Sequence, residues 1–98
     1  MCDYDWCTTQ HPADIHPSDD DHRSSGVATP TLVRRVDETG EGTDVDLEVG
    51  LIRRRSDGQT WLVLDAGNGI GIELALDGAR RAFRALLQEE AFRSALDL

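Results

Sequence analysis

Val45, Leu47, Val49 and Leu51 alternate with Asp44, Asp46, Glu48 and Gly50, and this two-residue period restricts the chain more than any other feature. Such a run is a β-strand with one apolar and one acidic face, so the apolar side needs a cover and the acidic side needs water or a partner. Turn-rich stretches bracket it. Asp37-Glu38-Thr39-Gly40-Glu41-Gly42 precedes it, and Arg53-Arg54-Arg55-Ser56-Asp57-Gly58 follows, with Asp-Gly as a hairpin signal.

Three further strands are expected around this one. Thr31-Leu32-Val33-Arg34-Arg35-Val36 reads as the first, and Trp61-Leu62-Val63-Leu64 as the third. The unbroken apolarity of the third predicts a central position covered on both faces. Ile70, Ile72, Leu74 and Leu76 alternate with Gly71, Glu73 and Ala75 as the fourth, after a type I′ turn at Asn68-Gly69. Gly67, Gly69 and Gly71 do not form a dinucleotide-binding loop, because that motif opens a helix and here a strand follows.

A helix should close the chain. Asp77 suits an N-cap, and Ala79, Ala82, Phe83, Leu86 and Leu87 share one face, which is expected to pack on the sheet. The pattern breaks at Gln88-Glu89-Glu90 and resumes with Ala91, Phe92, Ala95 and Leu96, predicting a bend or a restart. Phe92 and Leu96 either close the core or face a partner. The expected fold class is α+β: an N-terminal zinc-binding loop, an antiparallel meander of about four strands, and a C-terminal helix on the sheet. Residues 1–98 form a single domain, with 1–27 as the metal-binding segment, 28–76 as the meander and 77–98 as the helical segment.

All Cys and His residues stand in the first quarter: Cys2, Cys7, His11, His16 and His22. Zinc takes thiolate and imidazole ligands in a tetrahedron, so the clustering points to a structural Zn2+ site. Cys2, Cys7, His11 and His22 are the expected ligands, with His16 the alternative fourth. His22 is preferred because Pro12 and Pro17 stiffen the connection near His16. Within Asp19-Asp20-Asp21, a carboxylate could hold the free nitrogen of a ligating imidazole. The competing readings are a solvated reduced tail and a small Cys2–Cys7 disulfide. Trp6 is expected to anchor the loop, and Ser24-Ser25-Gly26 reads as a flexible linker.

The chain carries 19 acidic and 10 basic residues, all of the latter Arg, for a formal charge of −9. This balance disfavours nucleic-acid binding, which rests on cations meeting phosphates, and suits a protein partner with a basic surface. Arg53, Arg54 and Arg55, aided by Arg34 and Arg35, would be the nucleic-acid alternative, but adjacent strand residues point to opposite faces. The acidic surface also allows a DNA-mimic inhibitor. No apolar run is long enough to span a bilayer and no signal peptide is apparent, so a cytoplasmic location is expected.

No catalytic motif appears, and the chain is not expected to be an enzyme. The catalytic alternative is a zinc hydrolase with Cys2, Cys7 and either His11 or His22 as ligands, and Asp14 or Asp20 as base. The leading expectation is a zinc-stabilised interaction module with a regulatory role, associating through the sheet edge or final helix with another protein or a second copy of itself.

The opening Cys2, Trp6-Cys7 and His11, the later His, the hairpins, and the segment Leu74-Ala75-Leu76-Asp77-Gly78-Ala79-Arg80-Arg81-Ala82-Phe83-Arg84-Ala85-Leu86-Leu87 together resemble an actinobacterial and phage family. Its members are small domains of unknown function that open with Cys-Pro-x-Trp-Cys and carry a downstream pair of His. Trp6-Cys7 matches the second half of that motif and His11 the first His. Cys2 departs, with one extra residue before Trp6 and Asp3 in the place of Pro. The resemblance implies the fold and the metal site, and no activity.

Overall fold

The computed structural model describes residues 4–11 and 20–98. Its elements are β1 (His22–Arg23), β2 (Val27–Val33), β3 (Thr43–Arg53), β4 (Trp61–Gly67), β5 (Ile70–Ala75), α1 (Leu76–Gln88) and α2 (Glu90–Leu96). The class is α+β: one antiparallel sheet of five strands followed by two helices.

Both β1 and β2 pair with β3, His22 standing opposite Arg53 and Val27 opposite Val49. They are one edge of the sheet, interrupted at Ser24-Ser25-Gly26. The expected linker is therefore part of the sheet. Ser24 N–H donates to Leu51 O at 3.0 Å, and Leu51 N–H donates to Ser24 Oγ at 2.9 Å. Gly26 sits at φ +72°, and a Cβ there would lie 3.1 Å from the Val49 carbonyl. A flexible composition is here fixed by backbone that only glycine adopts cheaply.

The first predicted strand is shifted. It begins at Val27 and ends at Val33, while Arg34 to Val36 enter a turn closed by Glu38 N–H donating to Arg35 O. Pro30 is tolerated because β2 is an edge strand whose partner lies on one side only. Strand β3 lies where its alternation predicts. The following turn is wider than an Asp-Gly hairpin, since Ile52 pairs with Trp61 and residues 54–60 connect them. Asp57 serves that loop by accepting the Trp61 indole N–H at 3.1 Å. Between β4 and β5, Asn68 (φ 53°) and Gly69 (φ 75°) are both left-handed, as a type I′ turn requires.

The register sorts the sheet into two unlike faces. Val45, Leu47, Val49 and Leu51 share one with Leu62, Leu64, Ile72 and Leu74, because Val49 opposes Leu64, Leu51 opposes Leu62, and Leu64 opposes Ile72. Asp44, Asp46 and Glu48 lie on the other, where Glu48 stands directly opposite Asp65. None of the eight apolar residues is fully buried, so the expected double cover over β4 is missing.

The C-terminal segment explains why. Strand β5 runs into α1 without an intervening residue, whereas a helix returning over its own sheet ordinarily needs a loop of about two to six residues. Ala75, not Asp77, is the N-cap; Asp77 lies inside the first turn and accepts a bond from Arg80 at 2.8 Å. Only Ala79 of α1 is buried, while Phe83 is 48 % and Leu87 52 % exposed. The expectation that this helix packs on the sheet is thus corrected: it touches the sheet near its start and then projects. The predicted break is present, with Glu89 extended between the helices.

The packed region occupies one end of the sheet. Among the described residues Ile52, Ala79, Thr60 and His22 are the buried side chains, and Leu76 N–H donates to Thr60 O. The radius of gyration is 16.3 Å, against about 13 Å for a compact chain of this size. No helix among the described residues is long and apolar enough to cross a membrane.

Candidate metal centre

The segment before β1 is held to the packed end by backbone bonds. Cys7 N–H donates to Tyr4 O in a tight turn, Thr8 N–H donates to Arg23 O, and Arg23 N–H donates to Thr9 Oγ1 at 2.9 Å. These bonds lay residues 4–11 along the outer side of β1. Cys7 and His11 consequently face His22, which β1 holds at 3 % exposure.

The three donors converge. Cys7 Sγ lies 3.7 Å from His11 Nε2 and 3.4 Å from His22 Nδ1, and all three ligand atoms lie within 4.8 Å of one another. A tetrahedral ion with bonds of about 2.0–2.3 Å separates a sulfur and a nitrogen ligand by roughly 3.5 Å. The observed spacings bracket that value, so Cys7, His11 and His22 are close enough to coordinate a metal ion. His11 would use Nε2 and His22 Nδ1.

Asp20 sets the orientation of His11. Its Oδ2 accepts from His11 Nδ1 at 3.0 Å, leaving the Nε2 lone pair aimed at Cys7, and its Oδ1 accepts from Asp21 N–H at 2.9 Å. The bond to Asp20 raises the pKa of His11 above the ordinary imidazole value, with a further contribution from Cys7. In return, the bond from His11 lowers the Asp20 carboxyl, helped by the Asp21 amide. Asp21 in turn accepts from Arg55 N–H at 2.8 Å, fastening this corner to the β3–β4 loop.

An aromatic wall completes the site. Tyr4 meets His22 edge-on at 4.9 Å and stacks on Trp6 at 5.2 Å, while the Arg53 guanidinium lies 5.5 Å above the Tyr4 ring. Trp6 thus acts through Tyr4. Two of the clustered Arg are engaged locally: Arg53 covers Tyr4, and Arg54 forms a bidentate pair with Glu73 at 2.6 and 2.9 Å.

Of the expected ligands, the structure brings together Cys7, His11 and His22. Cys2 lies outside the described residues, as do His16 and Asp14. Asp20 was legible as one of three neighbouring acids able to hold a ligating imidazole and as a candidate base; its bond to His11 Nδ1 gives it the first of these roles. No protein-family model, curated protein or solved structure gives a significant match to the chain, so the reading of this centre rests on its own geometry.

Proposed function

We propose that this chain is a small zinc-stabilised protein-interaction module of accessory, regulatory character, and that Zn2+ bound by Cys7, His11 and His22, with Cys2 as fourth ligand, closes its N-terminal end. The observation that carries this reading is the convergence of Cys7, His11 and His22, with both sulfur–nitrogen distances near the tetrahedral value and His22 almost fully buried. Zinc is the ion matched by one thiolate and two imidazoles. A small chain with so little buried apolar surface would draw much of its stability from such a site.

A structural role is favoured over hydrolysis by Asp20. Both of its oxygens are engaged by His11 and Asp21, so the described candidate base is occupied in orienting a ligand. The interaction role draws on the opposed Glu48 and Asp65, with Asp44 and Asp46 on the same face. Like charges placed directly opposite cost stability and are relieved by a cationic partner. That partner is a protein with a basic surface.

The test is elemental mass spectrometry on tag-free protein. One equivalent of zinc, lost in Cys7→Ser and His11→Ala, is expected. Metal-free wild type that stays folded would overturn the reading.

A further inference from the structure

The apolar face of the helical arm and the apolar face of the sheet belong to the same chain, yet they do not cover each other. Phe83, Leu87, Phe92 and Leu96 are 48 to 58 % exposed along α1 and α2. On the sheet, Ile72 is 56 % exposed and the aligned leucines and valines are only partly covered. Strand β5 passes straight into α1, leaving no residues for a reversal that would bring the two faces together.

Charge identifies what can bridge them. In residues 76–98, Arg80, Arg81, Arg84 and Arg93 balance Asp77, Glu89, Glu90 and Asp97, so the whole −9 lies in residues 1–75. A neutral arm neither attracts a basic partner nor repels an acidic one. It also lacks the cationic excess typical of helices that lie on anionic lipid. The acids of the sheet project from the face opposite the apolar one. An apolar surface laid over Val49, Leu64 and Ile72 therefore meets no row of carboxylates.

Dimensions agree with this. Thirteen residues of α1 extend about 20 Å, and four neighbouring strands span roughly 15–19 Å. The four exposed arm residues alone offer on the order of 400 Å², to which the sheet face adds a comparable share. Together they reach the roughly 800 Å² per partner of a specific interface.

We propose that the occupant is a second copy of this chain: the α1–α2 arm of each protomer lies on the apolar sheet face of the other. The exchange is self-complementary, as a two-fold dimer requires. It covers both faces at once and accounts for the extended radius of the single chain.

Sedimentation equilibrium on the full metal-loaded chain tests this from low to high micromolar concentration. The expected mass is twice 10.8 kDa. Phe83→Glu on the arm and Ile72→Glu on the sheet should each return the mass to that of one chain, while Leu32→Glu on the acidic face should leave the dimer intact. The altered side chains are exposed in the protomer, and far-ultraviolet circular dichroism verifies that each variant folds. Should Phe83→Glu unfold, Leu96→Glu at the far end of the arm replaces it.

A wild-type protein that is monomeric at every concentration overturns the proposal, as does a dimer indifferent to both arm and sheet substitutions. Monomer that binds neutral or anionic vesicles through Phe83 would assign the arm to lipid and overturn it equally. The inference is independent of the metal: a metal-free dimer would sustain it while refuting the zinc reading, and a zinc-bound monomer would do the reverse.

Discussion

At the β1 end of the sheet a titratable imidazole, His22, is 3 % exposed, whereas in the C-terminal arm two phenyl rings, Phe83 and Phe92, are about half exposed. Ordinary folding distributes these residues the other way. The burial of His22 is compensated inside the chain, by Cys7, Tyr4 and the backbone bonds that tie residues 4–11 to Arg23. The exposure of the arm has no such compensation among the described residues, because α1 departs from β5 without a loop. On the proposals above, an ion closes one end and a second copy of the chain the other. The same shortage of core, with Ile52 and Ala79 as the buried apolar residues among those described, motivates both proposals.

The comparison breaks most visibly at the metal. Structural zinc contributes apparent binding energies on the order of 10 kcal/mol in small domains, so chelation of the holo protein should melt the β1 end. Hydrogen exchange should then accelerate first at Thr8, Arg23 and Ser24, while the paired strands β4 and β5 keep their protection. Uniform protection after chelation would show that the ion is dispensable.

Core truncation sharpens the contrast between the ends. Ile52→Ala removes the largest fully buried side chain and should cost about 2–5 kcal/mol, independent of protein concentration. Phe83→Ala should instead lower the melting temperature in a manner that depends on concentration, since its surface is covered only on association. Equal, concentration-independent losses from thermal melts would erase the distinction.

Asp20→Asn tests the orientation of His11. Loss of such a partner typically lowers metal affinity by about 10–100-fold, measurable by competition with a chromophoric chelator. The pH response gives a second readout. Without metal, the raised His11 pKa means that its pairing with Asp20 stabilises the fold fully below the ordinary imidazole value of 6.5 and is lost as pH rises through the raised value. The lowered Asp20 carboxyl contributes above its ordinary value of 3.8 and is lost as pH falls through the lowered one. Metal binding displaces protons, so holo stability rises with pH over the neutral range while this contribution to apo stability falls. Melting curves of the two forms should diverge with pH in wild type and diverge less in Asp20→Asn.

The smallest effect belongs to Arg54–Glu73, a partly exposed pair at the joint between the two regions. The hydrogen bond from Arg54 lowers the Glu73 carboxyl, so its contribution is present above the ordinary value of 4.5 and lost as pH falls through the lowered one. Glu73→Gln should cost under about 1 kcal/mol at neutral pH in urea melts, and nothing at strongly acidic pH.

Much of this architecture was legible where one residue's environment repeats. The alternation from Asp44 to Leu51 set the strand and its two faces, and Asn68-Gly69 set its turn. Misreadings arose where composition serves two geometries. Ser24-Ser25-Gly26 suits a linker as well as a bulge, and the bonds of Ser24 to Leu51 with the Gly26 approach to Val49 separate them. Pro30 masked the start of β2, although an edge strand tolerates it. The helical period of Phe83, Leu87, Phe92 and Leu96 shows that a face needs cover but cannot say whose surface provides it. At the metal centre, Cys7, His11 and His22 were all legible by clustering and loop length, and the pairing of β1 with β3, which sets His22 opposite Arg53, adds how His22 is held.

Native mass spectrometry of tag-free protein tests both closures in one spectrum. The account predicts two chains carrying two zinc ions. A single chain without metal would contradict it at both ends.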